Sequence, residues 1–317
     1  MNERKRLVVV EPHGFCSGVA RAVQTAEALL ARYPGETIYC LNEIVHNQLV
    51  VGRLSDLGMR FVKSVDVVPE GARLLFSAHG VAPAVVARAA ARQLRTIDAT
   101  CPFVAKVHAA VRRFAAQGAC VICIGHRQHE EVIGVAGEAP ERVRIVENAA
   151  EAEALAVPPD VPVAVVAQTT LGGEQLDAVM AVLRRRFPAL LQSAATDVCY
   201  ATRNRQQAVK VLADHCARVL VLGSANSSNS QRLVETARAA GAVAELVSTL
   251  EQIDGLDLEA VHELGLTSGA STPESFLDAA VARLRERYGF PAPERLAAVE
   301  EDSLVFKLPR SSATALS

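Results

Sequence analysis

The sequence predicts an α/β fold made of three small, pseudo-threefold-related α/β domains arranged as a trefoil about one centre. Three observations lead there. The 317 residues are 50% hydrophobic but only 4% aromatic, with no Trp, which suits helices packed on sheets of small side chains. A cysteine at the start of a helix-like run recurs at Cys16, Cys101 and Cys199. The spacing to the turns that follow also nearly repeats: Cys16 to Asn42, Cys101 to Gly125 and Cys199 to Gly223 span 26, 24 and 24 positions, and Cys16 to His79, Cys101 to Thr169 and Cys199 to Ser271 span 63, 68 and 72. Units of that length exceed a solenoid repeat, so small domains are the economical reading.

The first domain, 1–98, opens with strand Leu7 to Val10 and a turn through Gly14, Cys16 and Gly18. Val19, Ala22, Val23, Ala26, Leu29 and Leu30 then lie on one helical face that ends near Pro34-Gly35. Strand Thr37 to Leu41 delivers the polar turns Asn42-Glu43 and His46-Asn47. Helix Gln48 to Leu57, strand Arg73 to Phe76, the turn Ser77-Ala78-His79-Gly80 and helix Pro83 to Gln93 follow.

The second domain, 99–196, repeats the order. Thr100 is the expected N-cap and Pro102 suits the first turn, with Val104, Val107, Val111, Phe114 and Ala115 at helical spacing through Gln117. Strand Ala119 to Ile124 leads to the turn Gly125 to Glu131. Val143 to Val146 and strand Val161 to Ala167 come next, then Gln168 to Gly173 and helix Glu174 to Phe187.

The third domain, 197–300, has helix Asn204 to Cys216, strand Arg218 to Leu222 and the turn Gly223 to Ser230. Strand His262 to Leu266 delivers Thr267 to Thr272, and a helix runs on from Pro273. Segment 301–317 reads as a returning strand, Ser303 to Leu308, and a frayed polar tail. Ligands of open parallel sheets sit at the carboxyl ends of the strands, so three such edges facing inward would ring one cavity with three cysteines and six polar turns.

Net charge is −2 and, past the charged Met1 to Arg6, the longest basic run is Arg184-Arg185-Arg186 on a helix end, which leaves no nucleic-acid footprint. Any phosphate must be held locally. The charged Met1 to Arg6 leads into only four apolar residues, too few for a signal sequence, and no apolar run approaches membrane-spanning length. A soluble, cytoplasmic protein with no membrane partner is expected. Seven cysteines, an odd number, favour metal or catalysis over a disulfide framework. Cys120 and Cys123 lie in an apolar strand, and Cys40 and Cys216 in or beside apolar runs, so these four are expected in the core.

At a helix start the dipole favours thiolate, the form that binds metals. Three such thiolates with no matching fourth point to a metal centre with one open position. An iron-sulfur cluster is the favoured candidate; a zinc site on His46, His79 and His129, as in a hydrolase, stays open. His46, His79, His129, Thr169, Ser227, Ser228, Asn229 and Ser271 are hydrogen-bond donors on the polar turns, several of them at helix starts, and suit phosphate oxygens. Glu131 is the candidate proton source, since burial raises a carboxyl pKa, and Glu130 reads as its solvated neighbour. His108, His126, His215 and His262 read as ordinary structural histidines. A non-enzymatic cluster-bearing redox or phospholigand sensor is the remaining alternative.

From about Leu7 to Leu308 the chain resembles the 4-hydroxy-3-methylbut-2-enyl diphosphate reductases of the non-mevalonate isoprenoid pathway. The motifs that carry the resemblance are Gly14-Phe15-Cys16, Val45-His46-Asn47, Phe76-Ser77-Ala78-His79-Gly80-Val81, Asp98-Ala99-Thr100-Cys101-Pro102 and Gln168-Thr169-Thr170-Leu171. Cys199-Tyr200-Ala201-Thr202-Arg203-Asn204-Arg205-Gln206 and Asn226-Ser227-Ser228-Asn229-Ser230 follow in the family's order.

The resemblance implies a three-lobed oxidoreductase with one central 4Fe-4S cluster on Cys16, Cys101 and Cys199. It implies substrate hydroxyl on the open iron and diphosphate among His46, His79, His129, Ser227, Ser228, Asn229 and Ser271. Glu131 would serve proton transfer and Thr169 would orient the hydroxyl, with electrons from a ferredoxin or flavodoxin type partner. Products would be isopentenyl and dimethylallyl diphosphate. Two residues depart from the pattern: Glu130 stands where proline is usual, which bears on the stiffness of the loop carrying Glu131, and His13 where arginine or a similar residue is usual.

Overall fold

Short apolar runs alternate with amphipathic ones along the chain, and strands and helices alternate accordingly. The computed structural model describes residues 5–192, 198–301 and 304–309. The chain begins β1 (Arg6–Glu11), α1 (Ser17–Arg32), β2 (Ile38–Leu41), α2 (Gln48–Asp56), β3 (Met59–Val62), β4 (Arg73–Phe76), α3 (Pro83–Ala91) and β5 (Arg95–Asp98). It continues α4 (Pro102–Ala116), β6 (Cys120–Ile124), α5 (Glu130–Ala136), β7 (Val143–Val146), α6 (Ala149–Ala154), β8 (Val163–Ala167) and α7 (Gly173–Arg186). Last come α8 (Tyr200–His215), β9 (Arg218–Leu222), α9 (Ser228–Ala239), β10 (Val243–Val247), α10 (Leu250–Asp254), β11 (Glu263–Ser268), α11 (Glu274–Tyr288) and β12 (Glu294–Ala297).

The strands form three sheets, ordered β10-β9-β11-β1-β12, β3-β2-β4-β5 and β7-β6-β8. Every strand pair in them is parallel. Residues 5–17, 46–50 and 200–301, with Leu304, belong to one compact unit, built on the five-stranded sheet. Residues 18–45, 51–192, 198–199 and 305–309 belong to the other, which holds the four- and three-stranded sheets.

Strand β1, which leads the first domain in sequence, belongs to the five-stranded sheet, with Val9 opposite Leu266 of β11 and opposite Arg295 of β12. Its composition explains the placement. Leu7 and Val9 pack into one core cluster, with Leu220, Leu264, Leu266 and Leu284. Val8 and Val10 pack into another, with Val209, Leu212 and Val219. A strand apolar on both faces needs helices above and below and neighbours on both edges. In the other unit β6 and β8 are treated alike, with Val121 and Val166 facing α4 and Ile122 and Val165 facing α7.

Three local expectations change. Leu304 to Pro309 forms no strand; Phe306 packs edge-on against Phe103, ring centroids 5.9 Å apart, and the strand that returns to the sheet is β12. The alternation of Leu304, Phe306 and Leu308 imitated a strand, but the segment is held by that ring contact and by Arg21, whose Nε donates to Lys307 O at 2.9 Å. Helix α4 is capped at Cys101, with Pro102 at its first position, because Thr100 turns away to bond Asp98 through both its N–H and its hydroxyl. Strands β3 and β5 escaped the sequence reading because Arg60, Arg95 and Asp98 interrupt runs of only four residues. Asp197, Ser303 and the tail from Arg310 lie outside the described residues. Among the described residues no helix is long and apolar enough to cross a membrane.

Two glycines test the packing in opposite directions. A Cβ on Gly265 of β11 would lie 2.8 Å from Leu212 Cγ and 3.0 Å from both its δ-carbons, whereas one on Gly52 of α2 would meet nothing within 4 Å. Gly265→Ala should therefore cost about 1–3 kcal/mol through overpacking, and Gly52→Ala should gain about 0.5–1 kcal/mol in helix propensity. Urea unfolding of both variants checks the opposite signs.

Candidate active site

Parallel strands leave their sheet at one common edge, so the turns that follow neighbouring strands adjoin. In the five-stranded unit β1 and β11 bring the Cys16 turn beside 269–272. The Cys16 N–H donates to Ala270 O at 3.1 Å, and the Gly14 N–H donates to Ser268 Oγ at 2.9 Å. The Ala270 N–H donates in turn to Asn229 Oδ1 at 2.8 Å, and Ser271 Oγ donates to His46 O at 3.1 Å. Ser227 caps α9, its Oγ accepting from the Ser230 N–H at 3.3 Å and from the Ser230 hydroxyl at 3.2 Å. Asn229 is buried, and with Oδ1 committed to Ala270 its Nδ2 donor has no acceptor among the described residues. A buried donor at the start of a helix invites an anion.

Arg205 supplies a support that sequence reasoning missed. Its side chain is 1% exposed, and it donates through Nε and Nη2 to Gly14 O at 3.2 and 3.0 Å while pairing with Glu301 at 3.2 Å. The guanidinium thus ties down the turn that carries Cys16, and Glu301 offsets its buried charge. An arginine inside the quoted motif after Cys199 was visible in sequence; its partners 191 and 96 positions away were not.

The two-sheet unit gathers the remaining candidates. Phe76 of β4 pairs with Asp98 of β5, and just beyond them the Cys101 N–H donates to Ala78 O at 2.9 Å. Ile124 of β6 pairs with Ala167 of β8, and the turns beyond them interlock around Glu131. This carboxylate accepts from the Thr169 N–H at 2.7 Å and from Thr169 Oγ1 at 2.9 Å. Thr169 O accepts in turn from the Cys199 N–H at 3.2 Å. His129 caps α5, its Nδ1 accepting from the Glu131 N–H at 3.1 Å, and its ring stands edge-on to His79 with centroids 5.7 Å apart. A run of contacts therefore leads from the turn before Cys101, through His79, His129, Glu131 and Thr169, to Cys199.

Glu130 is not the solvated neighbour its sequence context implied. One of its oxygens lies 3.1 Å from His79 Nδ1 and the other 3.5 Å from Lys63 Nζ. Lys63 follows β3, a strand the sequence did not disclose, so this pairing had no sequence signal. His108 is a core histidine as expected, buried and 2.7 Å from Glu138, which also takes Arg112 at 2.8 Å. It packs beneath Gly80, where φ is +74° and a Cβ would lie 2.8 Å from His108 Nε2. Of the histidines weighed for zinc, His79 and His129 adjoin in the two-sheet unit, while His46 belongs to the five-stranded one.

The cysteines divide by environment. Cys40, Cys120, Cys123 and Cys216 are buried, and burial raises all four thiols, Cys123 to about 12 and Cys216 to about 11. Cys16, Cys101 and Cys199 are half-buried, and each is followed at once by a helix, α1, α4 and α8. Burial also pushes the Glu131 carboxyl up, with the Thr169 hydrogen bonds and the His79 ring pulling against it.

In each unit, then, parallel strand ends carry polar donors and helix-start cysteines, the layout of the open α/β enzyme class. The model of the LytB protein family matches residues 7–285. The chain is 49% identical over 307 residues to the 4-hydroxy-3-methylbut-2-enyl diphosphate reductase of Rhodococcus opacus, covering 96% of this chain and 90% of that protein. It is 35% identical to the solved E-1-hydroxy-2-methyl-but-2-enyl-4-diphosphate reductase from Plasmodium falciparum, with a TM-score of 0.91 over 96% of both chains. A second solved structure, (E)-4-hydroxy-3-methyl-but-2-enyl diphosphate reductase, described as the terminal enzyme of the non-mevalonate pathway, is 29% identical with a TM-score of 0.64. That match covers 89% of this chain and 99% of that one. The chain belongs to the LytB family, the 4-hydroxy-3-methylbut-2-enyl diphosphate reductases.

A raised carboxyl pKa means that folding favours the protonated acid. Its contribution to stability is complete below the ordinary carboxyl range and is lost as pH rises through the raised value. Glu131→Gln keeps an acceptor for the Thr169 N–H and removes the ionisation. Its thermal midpoint should match the parent's below about pH 4 and exceed it increasingly above about pH 4.3, the ordinary glutamate value. Thermal scans of both proteins from about pH 3 to about pH 8 check the match and the divergence.

Proposed function

We propose that this chain catalyses the reductive dehydroxylation of 4-hydroxy-3-methylbut-2-enyl diphosphate, the last step of the non-mevalonate pathway. The carbon–oxygen bond of the allylic alcohol breaks and a carbon–hydrogen bond forms. Two electrons from a ferredoxin or flavodoxin type donor and two protons are consumed, the oxygen leaves as water, and isopentenyl and dimethylallyl diphosphate result. The observation that carries the reading is the division of the cysteines: three half-buried thiols directly precede helices, and the other four are locked in the core. That donor set fits a 4Fe-4S cluster held by Cys16, Cys101 and Cys199, since the helix start favours thiolate and three ligands leave one iron open. When bound, such a cluster supplies single electrons and a Lewis-acidic iron for the hydroxyl oxygen.

The chain's own residues bind, orient and deliver protons. Ser227, Ser228, Asn229 and Ser271, with His46, His79 and His129, anchor the diphosphate, and the spare Asn229 donor supports that role. Anchoring one end converts placement of the allyl group into an intramolecular matter. Thr169 orients the hydroxyl. Glu131, whose burial favours the protonated form, gives up the proton that leaves with water.

Protein purified without oxygen should be brown and carry about four irons per chain. Cys101→Ser should lose that iron, while Cys123→Ser should keep it and lose only stability; equal iron loss in both contradicts the ligand assignment. Glu131→Gln should retain iron yet turn over on the order of 10² more slowly with reduced viologen as donor. A colourless zinc protein hydrolysing the same substrate without reductant would favour the histidine site instead, and an iron-loaded protein without turnover would favour a sensor.

A further inference from the structure

His79 and His129 stand side by side, and their hydrogen bonds fix ring protons on opposite nitrogens. The Nδ1 of His129 faces the Glu131 N–H at 3.1 Å. A backbone N–H only donates, so this nitrogen accepts and the ring carries its proton on Nε2. The Nδ1 of His79 faces Glu130 Oε2 at 3.1 Å, with Ser77 Oγ farther off at 3.4 Å. A carboxylate only accepts, so here the proton is on Nδ1. The Glu130 side chain is 18% exposed and lies between this ring and the Lys63 ammonium, 3.5 Å from its other oxygen.

We infer that Glu130 is a positioning residue for the anion-binding edge of the site, holding the His79 ring through its Nδ1 proton so that Nε2 is turned toward a phosphate group. The inference rests on the proposed function for the identity of that anion as a diphosphate. The two rings then do different work. His129 offers a neutral Nε2–H donor, whereas His79 engages through Nε2 by a proton shared with the phosphate, whichever of the two brings it. Second contacts of this kind set ring tautomer and orientation, and their loss is felt in ligand affinity. The competing explanation for an acid at the first position of α5 is charge complementarity with the helix start. That role would be indifferent to His79.

Glu130→Ala and Glu130→Gln in the iron-loaded protein separate the two, with inorganic diphosphate as the calorimetric probe and steady-state turnover beside it. The alanine variant should bind diphosphate about tenfold more weakly and raise KM by a similar factor, with kcat within about twofold of the parent. Glutamine keeps an oxygen acceptor without the charge and should recover most of the loss. Imidazole ¹⁵N spectra should show the His79 proton on Nδ1 in the parent and the glutamine variant, no such preference in the alanine variant, and the His129 proton on Nε2 in all three. Unchanged diphosphate affinity in the alanine variant, or a glutamine variant no better than alanine, overturns the inference alone. Failure of diphosphate to bind the parent protein overturns the proposed function together with it.

Discussion

Parallel pairing governs this molecule, because strands that run the same way must release their chains at the same edge. Phe76 beside Asp98, Ile124 beside Ala167 and Leu222 beside Ser268 are the last rungs of three ladders, and the turns bearing His79, Cys101, His129, Thr169, Ser227 and Ser271 begin within a few residues of one of them, while those of Cys16 and His46 follow β1 and β2. The hydrogen bonds that shape the site prolong those ladders: Cys101 to Ala78, Gln168 to Ile124 and Cys16 to Ala270 are backbone pairs formed just past the strand ends. A slip of one residue in any strand would turn its apolar side chains to the wrong core and carry its turn out of reach. The positions of the polar residues are thus set by the packing of valines and leucines.

Against that apolar frame, a few buried polar groups stand out by how fully they are answered. Glu131 is 2% exposed, and a single neighbour, Thr169, answers both of its oxygens. The same threonine receives the Cys199 N–H through its carbonyl, so one residue ties the acid to the cysteine turn. Arg205 performs a comparable task beneath Cys16, with Glu301 as counter-charge. The buried thiols need no such support, since a protonated Cys123 behaves as a small apolar side chain.

Much of the fold and most of the candidate set were legible in the sequence. Strands such as Leu7 to Val10 and Val163 to Ala167 are unbroken apolar runs, and α4 shows its stripe plainly. What stayed hidden depends on tertiary neighbours. The four residues of β5 contain an arginine and an aspartate and become a strand only because β4 lies beside them. Glu130 looked solvated because its partners, His79 and Lys63, are 51 and 67 positions away. The placement of β1 was equally closed to local reading, since its apolar run fits any buried sheet and only the contacts of its two faces decide which one.

That placement has a consequence for how the protein is made. During synthesis Arg6 to Glu11 is made well before both of its flanking strands, β11 and β12, which are encoded more than 250 positions later. Until then Leu7 to Val10 is an apolar segment without a sheet, and the turn bearing Cys16 lacks both the Ala270 contact and the Glu301 counter-charge of Arg205. Closing so long a loop is slow, because the entropy of bringing distant segments together is lost before their contacts form. The turn that carries Cys16 therefore gains its full support only once residues as distant as Ala270 and Glu301 have been made.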